Sequence, residues 1–562
     1  MATTLDSCAA FSVRPTISFA GQDCILLNVA KKQQTDFDDP VDCPMDGFTV
    51  RQLPACQISG DLQAGPGKAR SGSAALPGFT SFGPASRNPT QHPRTGRLTL
   101  FICPSFVCPL RLHPMRTASV LMILLILGIA VRLGGGWLRF SDLTADHDGY
   151  LAHAEMVANG KGFAGPYSHR PTAFRPPGYP IALAGLEVSG MPDWASVAII
   201  NGLCSIAVIW LSWILCQQLH LPPAVSILAV AITAFDPLLV RYTILPMTEV
   251  PAAAMLTGAV VALKAADLRR KLSHERCFRV YVLSGVLFGL GSLVRPILLV
   301  SCAMLVLSRL MLSLTGSERS RRNAAISILP MIAAIVAISP WIMRNAMQFR
   351  NFIPATTHGG YTLALGNNPD FYRDVIDGDV PFPWPGPQLD AWQQRMIADA
   401  AAQGIPVGNE PAQDAWYYQQ AVASMKAQPL SFSKSCLLRL RRFCAITPGS
   451  DDGLPRFATT LIAVWYGLIW IGVAAAIGRS IPALRGRPGF RSKNGILSGH
   501  SLADLWLIVL SFMLLHAFYW TDTRMRTPVM PFVCIISAVG WHSFFKFIFH
   551  HFCPRSPSEP PT

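Results

Sequence analysis

The sequence has 562 residues, of which 51% are hydrophobic and only 14% are charged, and its formal net charge is +15 at pH 7. Soluble proteins usually carry about 25% charged residues, and the apolar residues here are gathered into long runs. The composition therefore excludes an ordinary soluble protein and indicates membrane spans. The lysines and arginines cluster in short segments between the runs, which argues against a nucleic-acid partner and is typical of a topology signal.

Residues 1–114 are rich in proline, glycine, serine and threonine and show no sustained hydrophobic period. Such a composition is typical of disordered or irregular chain. Met115 and Arg116 stand directly before the first apolar run. Two explanations remain open: translation begins at Met115 and the preceding residues are an artefact of the gene model, or residues 1–114 form a cytoplasmic tail. Neither explanation assigns this segment a function.

Ten apolar runs follow, each near the length that a bilayer core requires, though 280–294 and 297–312 are short. A further run at 178–190 is shorter and contains Glu187, so it predicts an interfacial helix rather than a span. The ten predicted spans are 118–138, 194–216, 222–241, 248–266, 280–294, 297–312, 324–343, 457–477, 503–520 and 527–549.

Three basic segments determine the predicted orientation of these spans. Segments 264–279, 309–322 and 478–502 are rich in arginine, and such loops lie on the cytoplasmic side of membranes. Ten spans with a cytoplasmic N-terminus place all three there, whereas an eleventh span at 178–190 would place all three outside. We therefore predict an all-α, polytopic bundle of about ten transmembrane helices in the inner membrane, with both termini in the cytoplasm.

The long segment 344–456 is too large for a simple connector and predicts a small extracytoplasmic loop domain. Its basic amphipathic stretch at 429–446 is expected to lie on the outer membrane surface. The predicted domains are a disordered tail or misplaced start at 1–114, a transmembrane catalytic core at 115–343 with its first outer loop at 139–193, the loop domain at 344–456, C-terminal transmembrane helices at 457–549 and a tail at 550–562.

The notable polar residues fall on the predicted outer face, and the spans and the cytoplasmic face show no comparable group of carboxylates. Asp146 and Asp148 come first. A carboxylate near a membrane surface can act as a base toward an acceptor hydroxyl. The alternative is an acidic turn that only caps the next helix, from Gly149 to Asn159. His358 is expected to be a loop residue without a catalytic role.

Six short motifs lie on the predicted outer face. They are Asp146-His147-Asp148-Gly149-Tyr150, Arg-Pro-Pro-Gly-Tyr-Pro at 175–180, Met-Thr-Glu-Val-Pro at 247–251, Leu-Val-Arg-Pro at 293–296, Pro-Trp-Ile-Met-Arg-Asn at 340–345 and Asp-Thr-Arg-Met-Arg-Thr-Pro at 522–528. The first loop resembles the first outer loop of GT-C membrane glycosyltransferases, and more narrowly that of the bacterial protein mannosyltransferase and aminoarabinose transferase-like group. The resemblance covers about 118–545, and the motifs follow one another in the same order.

The resemblance implies transfer of a sugar from a polyprenyl-phosphate carrier to an acceptor at the outer face, with inversion. It implies that an aspartate of the first loop is the base, and here Asp146 and Asp148 both remain candidates, with Asp146 favoured. Glu249 would orient the acceptor or the base. No cofactor or metal is implied, although an Asp-x-Asp pair is also able to hold a divalent cation. The partners would be the lipid-linked donor, membrane lipids and an acceptor that is protein, lipid or glycan.

Each predicted binding residue also has a structural explanation. Arginine at the outer end of a span can bind a lipid phosphate or simply extend toward the headgroups. Glu249 at the start of a span can stabilise the helix through its dipole. The predicted substrate-binding residues are Arg175, Arg295, Arg344, Asn367, Asn368, Arg524 and Arg526.

Two other classes of function are compatible with a multi-pass membrane protein. A transporter or lipid flippase would place ionisable groups near the bilayer midplane, often in repeated halves or broken helices. Neither feature is clear in the sequence, although the helices that contain Asp236-Pro237 and Pro330 are candidates for a break. A non-catalytic scaffold would tolerate loss of both Asp146 and Asp148.

Overall fold

A computed structural model describes residues 114–270, 274–314, 326–381, 384, 386–448, 454–484 and 499–552. The predicted N-terminal tail and most of the basic segment 478–502 therefore lie outside the described residues. The described part of the chain is helical, and its extended pairing is limited to one isolated bridge between Ala164 and Pro171.

The first half of the described chain contains ten helices. They are α1 (Pro114–Leu138), α2 (Tyr150–Ala158), α3 (Gly178–Glu187), α4 (Asp193–Gln218), α5 (Pro223–Ala234), α6 (Pro237–Thr243), α7 (Glu249–Arg270), α8 (His274–Val294), α9 (Ile297–Leu314) and α10 (Leu329–Phe349).

The second half begins with the segment 344–456, which is predicted to be extracytoplasmic and is called the outer segment below, and it ends with three long helices. Its seven longer helices are α11 (Gly359–Leu365), α12 (Gly386–Ala402), α13 (Glu410–Ala427), α14 (Pro429–Phe443), α15 (Arg456–Leu484), α16 (Gly499–Phe518) and α17 (Met530–Phe552), with a 3-10 turn at Thr523–Val529 before the last helix.

Ten apolar helices correspond to the ten predicted runs. Seven are long and apolar enough to cross a membrane, and three shorter ones cover 223–234, 297–313 and 502–518. The helix at Gly178–Glu187 has only 10 residues, so it is too short to cross a bilayer. The chain is thus a helical integral membrane protein, and the count of ten crossings stays a prediction.

The predicted run 222–241 is broken, as expected at Asp236-Pro237. Proline lacks the backbone N–H that would continue α5, and it stands at the start of α6, where no such donor is needed. The Asp236 side chain caps α6 by accepting a hydrogen bond from the Leu239 amide at 3.0 Å. Pro330 produces no comparable break, because it lies in the first turn of α10.

Helix α7 lies at the centre of the bundle, and about two-thirds of the residues in its apolar stretch are buried. It packs against α8, α4 and the 3-10 turn. Many of its buried residues are alanines, which let neighbouring backbones approach closely. Gly285 and Gly289 on α8 play the same part toward α10, since a Cβ on Gly289 would lie 2.6 Å from the Ala334 carbonyl oxygen.

The outer segment 344–456 has its own hydrophobic core, built largely from aromatic side chains. Trp384, Trp392 and Tyr372 are among its fully buried members. Amphipathic helix α14 covers one side and is oriented in an unexpected way: Arg439 is fully buried, whereas Leu430 and Leu437 are exposed. The exposed leucines agree with the predicted contact with a membrane surface, which itself stays a prediction.

The expectation that carboxylates gather at only one end of the bundle is wrong. At the end of α7 opposite Glu249, the Asp267 carboxylate accepts from Arg309 at 2.9 Å and from the Tyr281 hydroxyl at 2.6 Å. Asp504 accepts from Arg309 at 2.9 Å and pairs with Lys264 at 2.6 Å. These groups are spread over α7, α8, α9 and α16, so the sequence gives no local pattern that would reveal their contact.

Candidate functional site

The candidate site begins at the turn that starts α2. The Asp146 carboxylate accepts a hydrogen bond from the Ala152 amide at 3.0 Å through Oδ2, so this residue does cap the helix. Its other oxygen, Oδ1, is buried without a hydrogen-bond partner. Burial raises the pKa of Asp146 above its ordinary value of 3.8, against the lowering effect of the nearby backbone amides. Asp146 thus caps the helix with one carboxylate oxygen, while the other oxygen is available to accept a hydrogen bond from a ligand.

Asp148 has very different surroundings because it faces two arginines. Arg524 donates to its Oδ2 at 3.1 Å, and Arg175 approaches Oδ1 at 3.6 Å. Burial alone would raise the pKa of Asp148, but Arg524 and Arg175 outweigh it and hold this pKa well below its usual value. Asp148 therefore stays ionised at neutral pH and anchors two guanidinium groups.

A second ion pair, between Glu249 and Arg295, lies beside the first. Arg295 Nη1 is 2.9 Å from Glu249 Oε1, and the Glu249 side chain is only 2% exposed. The second carboxylate oxygen of Glu249 is buried without a hydrogen-bond partner. Arg295 also donates to the Met525 sulfur at 3.1 Å. The turn between α8 and α9 therefore brings its arginine to the start of α7 and to the 3-10 turn.

Aromatic side chains form the wall of the site on the side of the outer segment. The Arg175 guanidinium lies 5.7 Å from the ring centre of Tyr150 and 5.4 Å from that of Phe174. The His358 ring packs edge-to-face on Phe174 at 4.5 Å. Burial, reinforced by Arg175, lowers the pKa of His358 to about 3. His358 is therefore neutral at pH 7.

His358 is a site residue that the sequence did not identify. It lies close enough to Asp148 to lower the pKa of that carboxyl when the imidazole is protonated, although it is far along the chain in a turn-rich stretch. That stretch contains no motif that distinguishes a buried histidine from an exposed one.

Arg344 is not part of this group. Its guanidinium donates to the backbone carbonyl oxygens of Phe163 at 2.6 Å and Thr172 at 2.7 Å, and it lies over the Trp341 ring. These contacts fasten the first outer loop onto α10.

Arg526 is likewise occupied by the protein itself. It donates to the carbonyl oxygens of Phe443 at 2.9 Å and Ala445 at 2.5 Å, and its guanidinium lies 4.2 Å from the Tyr466 ring centre. It thus holds the end of α14 against α15.

The two asparagines also stabilise the local backbone. Asn367 donates to the Phe518 carbonyl at 2.8 Å and accepts from Arg439 at 3.0 Å. Asn368 accepts from the Phe371 amide at 2.8 Å as a helix cap. An asparagine directly before a proline is a recognised helix-start pattern, so this signal was present in the sequence.

The geometry does not favour a divalent cation shared by Asp146 and Asp148. Each Asp148 oxygen faces a guanidinium, and Asp146 Oδ2 caps a helix. Within the described residues, no group of three or more histidine, cysteine or acidic side chains is placed to hold a metal ion.

Three arginines therefore converge on two carboxyl groups at one end of the bundle. Arg175 and Arg524 both pair with Asp148, and Arg295 pairs with Glu249. Such an arrangement attracts an anion, and guanidinium groups bind phosphate through paired hydrogen bonds.

No protein-family model and no curated protein matches this chain. Among solved structures, it is similar to the archaeal oligosaccharyltransferase AglB from Archaeoglobus fulgidus in complex with an inhibitory peptide and a dolichol-phosphate. The identity is 13% and the TM-score 0.44, over 79% of this chain and 52% of that one. It is also similar to the Archaeoglobus fulgidus oligosaccharyltransferase tethered with an acceptor peptide containing the NVT sequon, at 13% identity and a TM-score of 0.45, over 79% and 51% of the two chains.

The chain spans about half the length of these two structures. At this identity, the role of no individual residue is carried over from them.

Proposed function

We propose that this protein is a membrane glycosyltransferase that moves a sugar from a polyprenyl-phosphate carrier to an acceptor at the outer face of the cytoplasmic membrane. The observation that carries the proposal is the convergence of Arg175, Arg295 and Arg524 on Asp148 and Glu249, at one end of an apolar helical bundle. The phosphate of a lipid carrier lies at the membrane surface, level with the ends of the membrane helices, and is therefore an anion that can reach these arginines.

The arginines would bind the donor phosphate and stabilise it as the leaving group. When the bond between sugar C1 and the phosphate oxygen breaks, negative charge grows on the phosphate. Guanidinium groups that are already in place lower the cost of that charge, because they need not reorganise during the reaction. Of the seven residues predicted to bind substrate, Arg175, Arg295 and Arg524 are the three to which we assign this role. Arg344, Arg526, Asn367 and Asn368 would support the site through their contacts with the protein backbone.

The acceptor hydroxyl would attack C1 from the opposite face in a single displacement, which inverts the anomeric centre. The new bond joins the acceptor oxygen to C1, and the hydroxyl proton passes to a carboxylate. Asp146 suits this step because burial raises its pKa and its Oδ1 has no hydrogen-bond partner. Asp148 remains the alternative base, although its two arginines make it a weak one.

The experiment is transfer from a radiolabelled polyprenyl-phosphate sugar in membranes that contain the full chain. Asp146→Asn is expected to reduce transfer by about two to four orders of magnitude, the usual contribution of a general base. Asp377→Asn, which removes an exposed carboxylate that pairs with Lys434, is the matched control and should leave transfer unchanged. Full transfer by the Asp146→Asn/Asp148→Asn double variant would remove the catalytic assignment.

A transporter or lipid flippase is the second candidate, and one observation favours it. Asp236 lies fully buried at the break between α5 and α6, and Arg132 of α1 is only 5% exposed. Ionisable groups buried within apolar helices are typical of substrate pathways. Movement of a fluorescent polyprenyl phosphate across liposomes without sugar transfer, and its loss in Asp236→Asn, would favour this candidate over the glycosyltransferase.

A further inference from the structure

Beside the arginines lies a second group of buried polar atoms with the opposite chemistry. It contains Asp146 Oδ1 and Glu249 Oε2, which are buried without hydrogen-bond partners, and the buried Tyr179 hydroxyl and Asn201 Oδ1, whose side chains lie within hydrogen-bonding reach of each other. Tyr179, Asn201 and Glu249 are at most 1% exposed. Buried polar atoms without partners are rare in folded proteins, and each calls for an explanation.

The local sequence explains how Tyr179 reaches this position. The preceding Gly178 packs directly on α8, where a Cβ would lie 2.9 Å from the Leu293 carbonyl oxygen. The absence of a side chain thus seats the start of α3 beside the turn that carries Arg295. The Tyr179 ring then packs edge-to-face on Tyr150 at 5.7 Å, and Tyr150 is the residue that follows the turn containing Asp146 and Asp148.

Asn201 is held in one orientation. Its Nδ2 donates to the Leu245 carbonyl at 2.6 Å, so the amide cannot turn over without losing that bond, and Oδ1 points the other way. Leu245 belongs to the short turn that leads into Glu249, so the same bond places Asn201 beside the second carboxylate. The Asn201 side chain reaches the Tyr179 hydroxyl as a hydrogen-bond partner, and the carboxyl groups of Asp146 and Glu249 lie close enough to act on the Tyr179 phenol through their charge.

The four atoms differ from the arginine cluster in what they can bind. Asp146, Glu249 and Asn201 present oxygens that only accept hydrogen bonds when the carboxyls are ionised, and the Tyr179 hydroxyl can accept or donate. A phosphate group presents mainly hydrogen-bond acceptors, so it cannot pair with a set of atoms that are themselves mainly acceptors. A ligand hydroxyl group can donate one hydrogen bond to a carboxylate or amide oxygen and can accept one from the Tyr179 hydroxyl, so it matches this set of atoms.

We propose that Tyr179 and Asn201 form, with Asp146 and Glu249, a hydroxyl-binding subsite that positions a sugar or polyol acceptor beside the base. The inference rests on the proposed glycosyltransferase function for its role in a reaction. The site would then have two parts: the arginines bind the anionic end of the donor, and the hydroxyl-binding subsite binds the nucleophilic hydroxyl of the acceptor. Tyr179 and Asn201 are positioning residues, whereas the proton passes to a carboxylate.

The test measures binding of two probes to the full chain in lipid nanodiscs. Methyl α-mannopyranoside and methyl α-glucopyranoside are followed by saturation-transfer NMR, which detects weak binding. Undecaprenyl phosphate, which carries no sugar, is followed by thermal shift. The wild type should bind at least one glycoside, and Tyr179→Phe, which removes a single oxygen, should weaken that binding about five- to tenfold, the effect of one lost hydrogen bond. Undecaprenyl phosphate binding should be unchanged.

Asn201→Leu should weaken glycoside binding by a similar factor, but it also loses the bond to Leu245, so Tyr179→Phe is the decisive variant. Tyr372→Phe, which removes another buried phenol oxygen in the outer segment, is the matched control. Equal glycoside binding by wild type and Tyr179→Phe, or none by the wild type, would overturn the inference.

Two further outcomes separate this inference from neighbouring ones. If the wild type binds a glycoside through Tyr179 but does not bind undecaprenyl phosphate, the subsite stands and the proposed donor fails. The second outcome concerns Mn²⁺, whose binding is measured by the enhanced relaxation of water protons. If the wild type binds Mn²⁺ but no glycoside, and Asn201→Leu loses the Mn²⁺ binding, the four atoms form a cation site and the hydroxyl assignment is wrong.

Discussion

Asp146 and Asp148 are separated by one residue, yet their surroundings push their protonation in opposite directions. Asp148 faces Arg524 and Arg175, which hold its pKa low, whereas burial without a cation raises the pKa of Asp146. Active sites commonly separate two carboxyl groups in this way, so that one stays charged and the other exchanges a proton. The contrast supports the proposal that Asp148 stays charged while Asp146 accepts the proton.

The pH dependence of transfer should reflect Asp146. A base must be ionised to act, and its folded-state pKa is raised above 3.8, so the rate should fall on the acid side with a midpoint above that value. His358 should not contribute, because its pKa of about 3 keeps it neutral over this range. The rate–pH profile of His358→Asn should therefore keep the acid limb of the wild type. An acid limb that disappears in this variant would assign the titration to the histidine.

The ion pair between Asp148 and Arg524 should show strong energetic coupling. Removing one partner of a largely buried pair leaves the other charge without compensation and costs about 3–5 kcal/mol. Arg524→Gln and Asp148→Asn should each lower the unfolding free energy, and the double variant should lose about 0.5–3 kcal/mol less than the sum of the two. Denaturant unfolding of the four proteins in one detergent measures this cycle. Additive losses would contradict a direct pair.

At the scale of helices, close packing depends on glycine at particular contacts. Gly289 of α8 faces α10 so closely that a Cβ would lie 2.6 Å from the Ala334 carbonyl and 2.7 Å from the Ala337 Cβ. Membrane helices associate through such small residues because lipid provides little hydrophobic drive between them. Gly467 of α15 has no atom near the position of its own Cβ.

These two glycines make a matched pair for substitution by alanine. Alanine in a helix is favoured over glycine by up to about 1 kcal/mol, so Gly467→Ala should stabilise the protein slightly. Gly289→Ala should instead destabilise it by about 1–3 kcal/mol, the usual cost of overpacking. Unfolding temperatures of both variants in the same detergent test the difference. Equal shifts would mean that α8 and α10 do not pack as closely as the structure indicates.

The apolar helices could be predicted from the sequence because a span needs a long uninterrupted run, and length alone carries that signal. The break at Asp236-Pro237 was also predictable from the chemistry of proline. The partners of the arginines were not. Arg344 and Arg526 look like Arg295 and Arg524 in the sequence, since all four stand near span ends, and only the fold directs two of them to backbone carbonyls. The Asp148–Arg524 contact joins residues 376 positions apart.

At the scale of the whole molecule, two charged groups occupy opposite ends of the bundle. The group with Asp148, Glu249 and their arginines lies at the start of α7, and the group with Asp267, Asp504 and Arg309 lies at its far end, about 27 Å away by helix rise. The second group balances its charges among its own members. The first places three arginines on two carboxyl groups and also contains buried carboxylate oxygens without hydrogen-bond partners, which is why it is the end where chemistry is proposed.

The orientation of the bundle follows from the basic segments and can be measured directly. Arginine-rich loops remain in the cytoplasm because moving them across the membrane is unfavourable, so the end of α7 near Asp267 should face inward and His147 outward. Alkaline phosphatase fused after His147 should be active, whereas the same enzyme fused after Arg270 should be inactive and a fluorescent protein there should be bright. The reverse pattern would place the arginine cluster on the cytosolic side. A donor presented at the outer face could then not reach Asp146, and the reaction proposed for this site would require a carrier in the inner leaflet.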